Sequence, residues 1–251
     1  MDNQNSFLGN IRIALGLGAG EERDKSHYPA LFSSPDTGAI VARMQNRTAE
    51  EKEELVNLFQ ENARALGIHT HIALTDSDAA GIVVELIRSK EPEFTHTKHI
   101  MQHDHPDIAA LQLWKRFNRE AVTVHTTFSA DSELREKTIT SFIGITAPVI
   151  GVADSATVIQ FTTPGQPRST SLVPSIHLAL LRRDRLVADL SEAYALLGEK
   201  GYPDSFVFIS GPSKTADIEA QMVHGAHGPR EMHLIVLPAA DGPLGKKEIS
   251  L

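Results

Sequence analysis

A chain of 251 residues that is 41% hydrophobic and 22% charged is long enough to bury a sizeable core, and this composition excludes a disordered or collagen-like polymer. Its formal net charge of −8 gives no global attraction to nucleic acid or to anionic lipid. Having no cysteine, it forms no disulfide, offers no thiolate to zinc or to an iron–sulfur cluster, and has no cysteine nucleophile.

Asn5 to Gly16 predicts a short helix carrying Phe7, Leu8, Ile11 and Leu15. Asn10, Arg12 and Gly16 interrupt the unbroken apolar stretch of a secretory leader, so a cytoplasmic location is expected. Residues 1–46 read as a helical extension and linker, with 17–46 a mobile connection of weak local structure. Thr48 and Glu51 then form a capping box, Gly67 supplies the stop, and Leu55, Leu58, Phe59, Ala63 and Leu66 mark the buried face of the helix between them.

"IHTHIAL" follows as a strand, "SDAAGIVVELIRSK" as a helix and "KHIMQ" as a strand. Asp107 to Asn118 predicts another helix, "AVTVHTT" a strand, and Ser132 to Thr138 a short helix before the apolar "FIGIT". This alternation is that of an α/β domain with a mainly parallel sheet, assigned to residues 47–240. Beyond residue 141 the strands "FIGIT", "TVIQF", "SIHLALLR", "SFVFIS" and "MHLIVL" come closer together, with one clear helix at Ser191 to Gly198. Residues 241–251 read as a flexible tail. The longest uncharged run, Thr138 to Ala153, has 16 residues and contains Pro148, short of the roughly 20 apolar residues a membrane span needs.

The densest gathering of polar and backbone-shaping residues is "FISGPSKTADIEAQMVHGAHGPREMHLIVL". Its strand "SFVFIS" releases into "GPSKTADIE", and open α/β sheets place ligands outside the carboxyl edge. Ser210, Gly211, Ser213, Lys214 and Thr215 offer hydroxyl, ammonium and backbone donors to an anion there. The second glycine of a P-loop is missing, which disfavours nucleotide hydrolysis by that route. Asp217 and Glu219 are either an acid–base pair or a helix-entry acid beside a surface acid. His227 and Gly228 stand on a Gly-rich loop where backbone can approach a ligand closely.

Two further stretches carry candidate chemistry. Asp154 in "GVADSATVIQF" is a nucleophile, a base or a turn cap, and Arg168 in "TTPGQPRSTSLVPS" is an anion ligand or a surface cation. Twelve histidines include the alternating pair His69 and His71 and the set His96, His99, His103 and His105, but no HExxH spacing completes a metal site, and none is assigned. A GxSxG elbow is also absent.

Taken together, "GITAPVIGVADSATVIQ", "TPGQPRSTSLVPSIHLAL", "FISGPSKTADIE" and "HGAHGPREMHLIVL" resemble, in order and spacing, the lactate-utilisation protein C family, the LUD-domain family. The resemblance spans about residues 48–237 and is strongest after residue 140. It implies a Rossmann-like α/β core, a variant of the fold shared by ribose-phosphate isomerases, sugar-phosphate deaminases and CoA transferases. Family members commonly carry Glu-Thr-Gly-Thr where this chain has Asp154-Ser155-Ala156-Thr157, which weakens transfer of a role to Asp154.

The resemblance further implies a part in oxidising L-lactate to pyruvate beside iron–sulfur partner subunits, LutA-like and LutB-like, that would carry the clusters. This chain would bind no cofactor of its own and at most a small anion. Asp154, Asp217, Glu219 and His227 are then the candidate catalytic groups, and Arg168, Ser210, Gly211, Ser213, Lys214, Thr215 and Gly228 the candidate ligand contacts. Two alternatives stand beside it: an independent enzyme acting on a phosphorylated sugar, folate-like compound or CoA ester, and a scaffold without chemistry.

Overall fold

The computed structural model describes residues 2–18, 26, 35–93, 96–117, 120–128, 132–201, 204–216, 222–224 and 227–240. The chain divides into two compact units, residues 1–36 and residues 37–251. The first holds helix α1 (Asp2–Ala14), along which Phe7, Leu8, Ile11 and Ile13 are exposed.

The second unit opens with α2 (Thr37–Gln45), a helix where the sequence predicts only a connection. Val41 and Met44, three residues apart, bury one side of it, and it packs on α9 (Leu190–Lys200). Arg43 and Arg47 of this segment both reach the buried carboxylate of Glu192, which also accepts from the Ala188 N–H at 2.8 Å. Helix α3 (Ala49–Leu66) has the expected capping box, with the Glu51 N–H donating to Thr48 Oγ1 at 3.2 Å and the Thr48 N–H donating to Glu51 Oε2 at 2.7 Å. Leu55, Val56, Phe59 and Ala63 are buried, but Leu58 is exposed. At about 100° per residue, Leu58 falls on the flank of that stripe and Val56 within it.

Six parallel strands form the main sheet in the order β1 (Ile68–Ile72), β12 (Glu231–Leu237), β7 (Ile176–Arg182), β4 (Ile143–Thr146), β2 (Lys98–His103), β3 (Val122–Thr127). Both faces of its central strands are covered, as parallel sheets require. On one face Ile176, Leu178 and Leu180 pack with Val83 and Ile87 of α4 (Asp76–Ser89). On the other, Ala179 and Leu181 meet Phe59 of α3 and Val158 of a second sheet.

That second sheet has the order β8 (Leu186–Val187), β5 (Ile150–Val152), β6 (Thr157–Phe161), β9 (Phe206–Ile209) and mixes parallel with antiparallel pairing. The sequence reading names β6 and β9 as strands without setting them apart from the mainly parallel sheet, and names no strand at β5 or β8. The helix expected over 107–118 is also divided, into α5 (Pro106–Ala110) and α6 (Leu113–Arg116), because Gln112 takes a left-handed conformation with φ 48°. Helix α7 (Leu134–Thr140) precedes β4, and α8 (Ser169–Leu172) lies against β4 and β7.

At the carboxyl edge of the main sheet, Arg182 donates to Asp107 at 2.6 and 2.9 Å, to Asp76 at 2.9 Å and to the Pro238 carbonyl. One guanidinium thus ties together the exits of β7 and β12 and the starts of α4 and α5.

Candidate functional site

Strand β9 ends at Ile209, and the chain turns at Gly211 with φ 109°, a backbone conformation open to glycine. A Cβ at Gly211 would meet the Leu66 carbonyl at 3.4 Å, so the turn lies close against the end of α3. Lys214 fastens it there, its Nζ donating to the Leu66 carbonyl at 2.6 Å. Residues Lys214–Ala216 (β10) then pair antiparallel with Met222–His224 (β11). The returning chain is tied back by the Ser213 N–H donating to the Pro229 carbonyl at 2.7 Å and the Arg230 N–H donating to the Ser175 carbonyl at 2.9 Å.

These ties enclose a cavity of about 210 Å³. Ser210, Gly211 and Ser213 line one side, and His227, Gly228 and Pro229 another. Among the described residues, Phe208 and Ile209 of β9, Ser171 and Leu172 of α8, and His177 and Met232 from β7 and β12 make up the rest of its lining. His177 and Met232 are each the second residue of their strands, so the cavity stands at the amino edge of the main sheet, beside the carboxyl end of β9 in the second sheet. The sequence reading expects the site where the strand "SFVFIS" ends, and the cavity stands there, but that strand belongs to the second sheet, and the carboxyl edge of the main sheet is tied by Arg182 instead.

Five of the candidate residues therefore share one recess: Ser210, Gly211, Ser213, His227 and Gly228. Ser210 Oγ also hydrogen-bonds Thr157 Oγ1 at 2.7 Å, which joins the cavity wall to β6. Lys214 turns its ammonium onto α3. Thr215 has its backbone in β10, while Asp217 and Glu219 lie outside the described residues.

Asp154 and Arg168 are exposed and are not among the residues lining the cavity. The Asp154 N–H donates to the Ala188 carbonyl at 3.0 Å, and its own carbonyl accepts from Asn62 Nδ2 at 3.0 Å, in a turn where Ala156 has φ 45°. Arg168 precedes the first turn of α8.

The sequence reading misses Ser171, His177 and Met232. A signal for His177 was present: it is the one polar side chain between Ile176 and Leu181 in "SIHLALLR", a strand buried along almost its whole length. The ring is fully buried, and burial, with His103 adding to it, pushes its pKa down to about 3. His177 is thus a neutral imidazole at physiological pH. Its Nε2 contacts Thr146 Oγ1 at 2.8 Å, and its Nδ1 has no protein partner. His103 is similar: burial lowers its pKa to about 4 against a contact of Nε2 with the Pro167 carbonyl at 3.1 Å, and its Nδ1 is also unpartnered.

Other histidines pair with one another. His71 Nε2 lies 3.0 Å from His233 Nδ1, His233 Nε2 lies 2.6 Å from Glu231 Oε1, and His69 stacks on His233. Among the described residues, no group of three or more His, Asp or Glu side chains is arranged to hold a metal ion. No helix among them is long and apolar enough to cross a membrane.

Residues 56–237 match the LUD domain. The chain is 30% identical over 239 residues to lactate utilization protein C of Shouchella clausii strain KSM-K16, covering 94% of this chain and 97% of that protein. It is 32% identical over 246 residues to lactate utilization protein C of Bacillus licheniformis, covering 94% and 96%. Its fold is similar to the crystal structure of a DUF162 family protein from Deinococcus radiodurans, with a TM-score of 0.52, 17% identity, and coverage of 74% of this chain and 98% of that one.

Proposed function

We propose that this chain, which belongs to the LUD-domain family, acts in lactate utilisation as the non-cluster subunit of an iron–sulfur-dependent system that oxidises L-lactate to pyruvate. The observation that carries the reading is the end-to-end likeness to relatives that bear the name lactate utilization protein C. Converting a 2-hydroxy acid to a 2-oxo acid releases two electrons and two protons, and the electrons need a redox carrier. A chain without cysteine supplies no thiolate to a cluster, so that carrier belongs to partner subunits.

The role left to this chain is to bind a small acid and present it. A volume of about 210 Å³ lies below the roughly 300–1,000 Å³ of drug-sized sites, which favours an acid of a few carbons over a folate or a CoA ester. Ser210, Ser213 and His227 supply hydroxyl and imidazole groups, and Gly211 and Gly228 allow close approach to the backbone. Lys214 acts indirectly, by fixing the turn that carries Ser213.

The test is deletion of the gene, followed by L-lactate consumption and pyruvate formation in whole cells, with recovery of iron-containing partners on the tagged chain. Lactate oxidation stops in the deletion strain and returns with the wild-type copy. Unchanged lactate oxidation in the deletion strain contradicts the reading.

A further inference from the structure

In the second sheet β9 is an outermost strand, paired with β6 through the continuous register Val158↔Ile209, Ile159↔Phe208, Gln160↔Val207 and Phe161↔Phe206. The same register runs on to Thr162, whose N–H donates to the Ser205 carbonyl at 2.9 Å. Residues of an antiparallel pair alternate between hydrogen-bonded and non-hydrogen-bonded positions, so Val207 and Ile209 turn their backbone groups toward β6. Phe206 and Phe208 turn theirs outward, and among the described residues no backbone group pairs with that outer edge.

Natural sheets guard such an edge with charge, proline or a bulge. Here the run from Ser205 to Gly211 holds no charge and no proline, in a chain of net charge −8. Apolar ring surface stands beside it. Phe208 is 40% exposed and Tyr194 of α9 44%, their ring centroids lie 6.1 Å apart, and Phe206 meets Phe208 edge-on at 5.6 Å.

We infer that β9 pairs antiparallel with β9 of a second copy of this chain, about a twofold axis at Val207. The two outward-facing residues then satisfy each other: Phe206 exchanges backbone hydrogen bonds with Phe208 of the second copy, and Phe208 with its Phe206. Each such pair also sets one aromatic ring across from another. The two four-stranded sheets become one continuous sheet.

Charge and area both select a second copy as the occupant. Two chains of net charge −8 repel over most of their surface, and this uncharged edge is where they meet without opposed carboxylates. The axis at Val207 places Asp204 opposite Ser210 of the second copy and not opposite itself. A four-residue edge and two half-exposed rings bury less than the roughly 800 Å² per partner of a standard interface, so the dimer is reversible, with dissociation in the micromolar range. Phe208 and Ile209 also line the cavity, so the second copy stands at its border.

The experiment is sedimentation velocity on the full chain from about 1 to 100 µM, repeated with Phe208→Lys, which puts a charge on the edge. Wild type passes from monomer to dimer over this range, and F208K, with its fold checked by circular dichroism, dimerises at least roughly tenfold more weakly. Because the chain has no cysteine, a single Val207→Cys reports the axis directly. Residues opposed at a non-hydrogen-bonded antiparallel position have Cα atoms about 4.5 Å apart, within the range of a disulfide. Mild oxidation therefore links V207C into a dimer faster than it links Leu74→Cys, at a residue 79% exposed and away from β9.

A wild-type chain that stays monomeric to the highest concentration overturns the inference. So does association that proceeds past the dimer, since twofold pairing closes on itself. Dimerisation undiminished in F208K, or cross-linking of V207C no faster than that of L74C, places the contact elsewhere and overturns it equally. Where a variant fails to fold, the wild-type sedimentation and the other variant decide.

Discussion

Gly144 lies directly beneath the backbone of Thr170: a Cβ built on the glycine would stand 1.8 Å from the Thr170 carbonyl oxygen. Gly144 is also the register partner of His177. The missing side chain lets α8 settle onto β4 beside the imidazole, and α8 brings Ser171 and Leu172 to the cavity wall. A Gly144→Ala chain must lift α8, since the obstructing atom is backbone. The expected cost is about 2–3 kcal/mol in urea unfolding, with weaker ligand binding in the folded fraction. A variant as stable as wild type contradicts this packing.

Glu192 holds α2 to the rest of its unit. Its carboxylate is fully buried; burial opposes ionisation, but the bonds from Arg47, the Ala188 N–H and Arg43 overcome that and hold its pKa below the ordinary value. Glu192→Ala leaves Arg47, itself only 13% exposed, without its partner. A loss of about 3 kcal/mol is expected, and less for Glu192→Gln, which keeps an acceptor. Denaturant melts of the two variants check the order.

Three buried histidines set the response to acid. Burial lowers the pKa of His177 to about 3, and of His103 and His233 to about 4, from an ordinary value of 6.5. Between pH 6.5 and 4 the unfolded chain therefore binds protons that the folded chain does not, so stability falls as pH drops through that window. Each pKa unit is worth about 1.4 kcal/mol. The carboxylates Glu192 and Glu231, whose values lie below 4.5, add their loss only at lower pH. Calorimetric Tm values at pH 8, 6.5 and 5 decide: a clear drop between 6.5 and 5 is expected, and a flat profile to pH 5 contradicts the buried-histidine account.

Lys214 caps α3 from outside, its cation set against the carbonyl end of the helix. Lys214→Met removes an exposed, solvent-screened contact, so the cost is about 0.5–1 kcal/mol, roughly 2 °C in Tm. Ligand affinity falls through loosening of the turn and not through loss of a direct contact. A cavity ligand whose binding depends on salt in wild type but not in Lys214→Met would instead place the ammonium on the ligand.

Much of this fold was legible because its signals are local. Thr48, Glu51 and Gly67 mark a helix by side-chain and backbone chemistry within a few residues, and the alternation through Thr127 follows from hydrophobic spacing. The second sheet was not legible, since β5 and β8 are three and two residues long, and β8 and β9 pair with strands distant in sequence. At the site, the loop residues 210–213 and 227–228 stood out by composition, whereas Ser171 and Met232 reach the cavity only through the packing of α8 and the register of β12. Leu58 was misplaced because an apolar residue at a helix flank satisfies a spacing rule without being buried.

Gly228 offers the most direct test that this cavity serves lactate utilisation. A Cβ there meets Ser213 Cβ at 3.3 Å and the Leu172 carbonyl at 3.9 Å, so Gly228→Val fills the space between two walls and presses on Ser213 by a few tenths of an ångström. The measurement is the rate of L-lactate consumption in a deletion strain carrying wild type or Gly228→Val at equal abundance and matched Tm. Wild type restores consumption and the plugged chain does not; full restoration by the plugged chain would show that the cavity is dispensable.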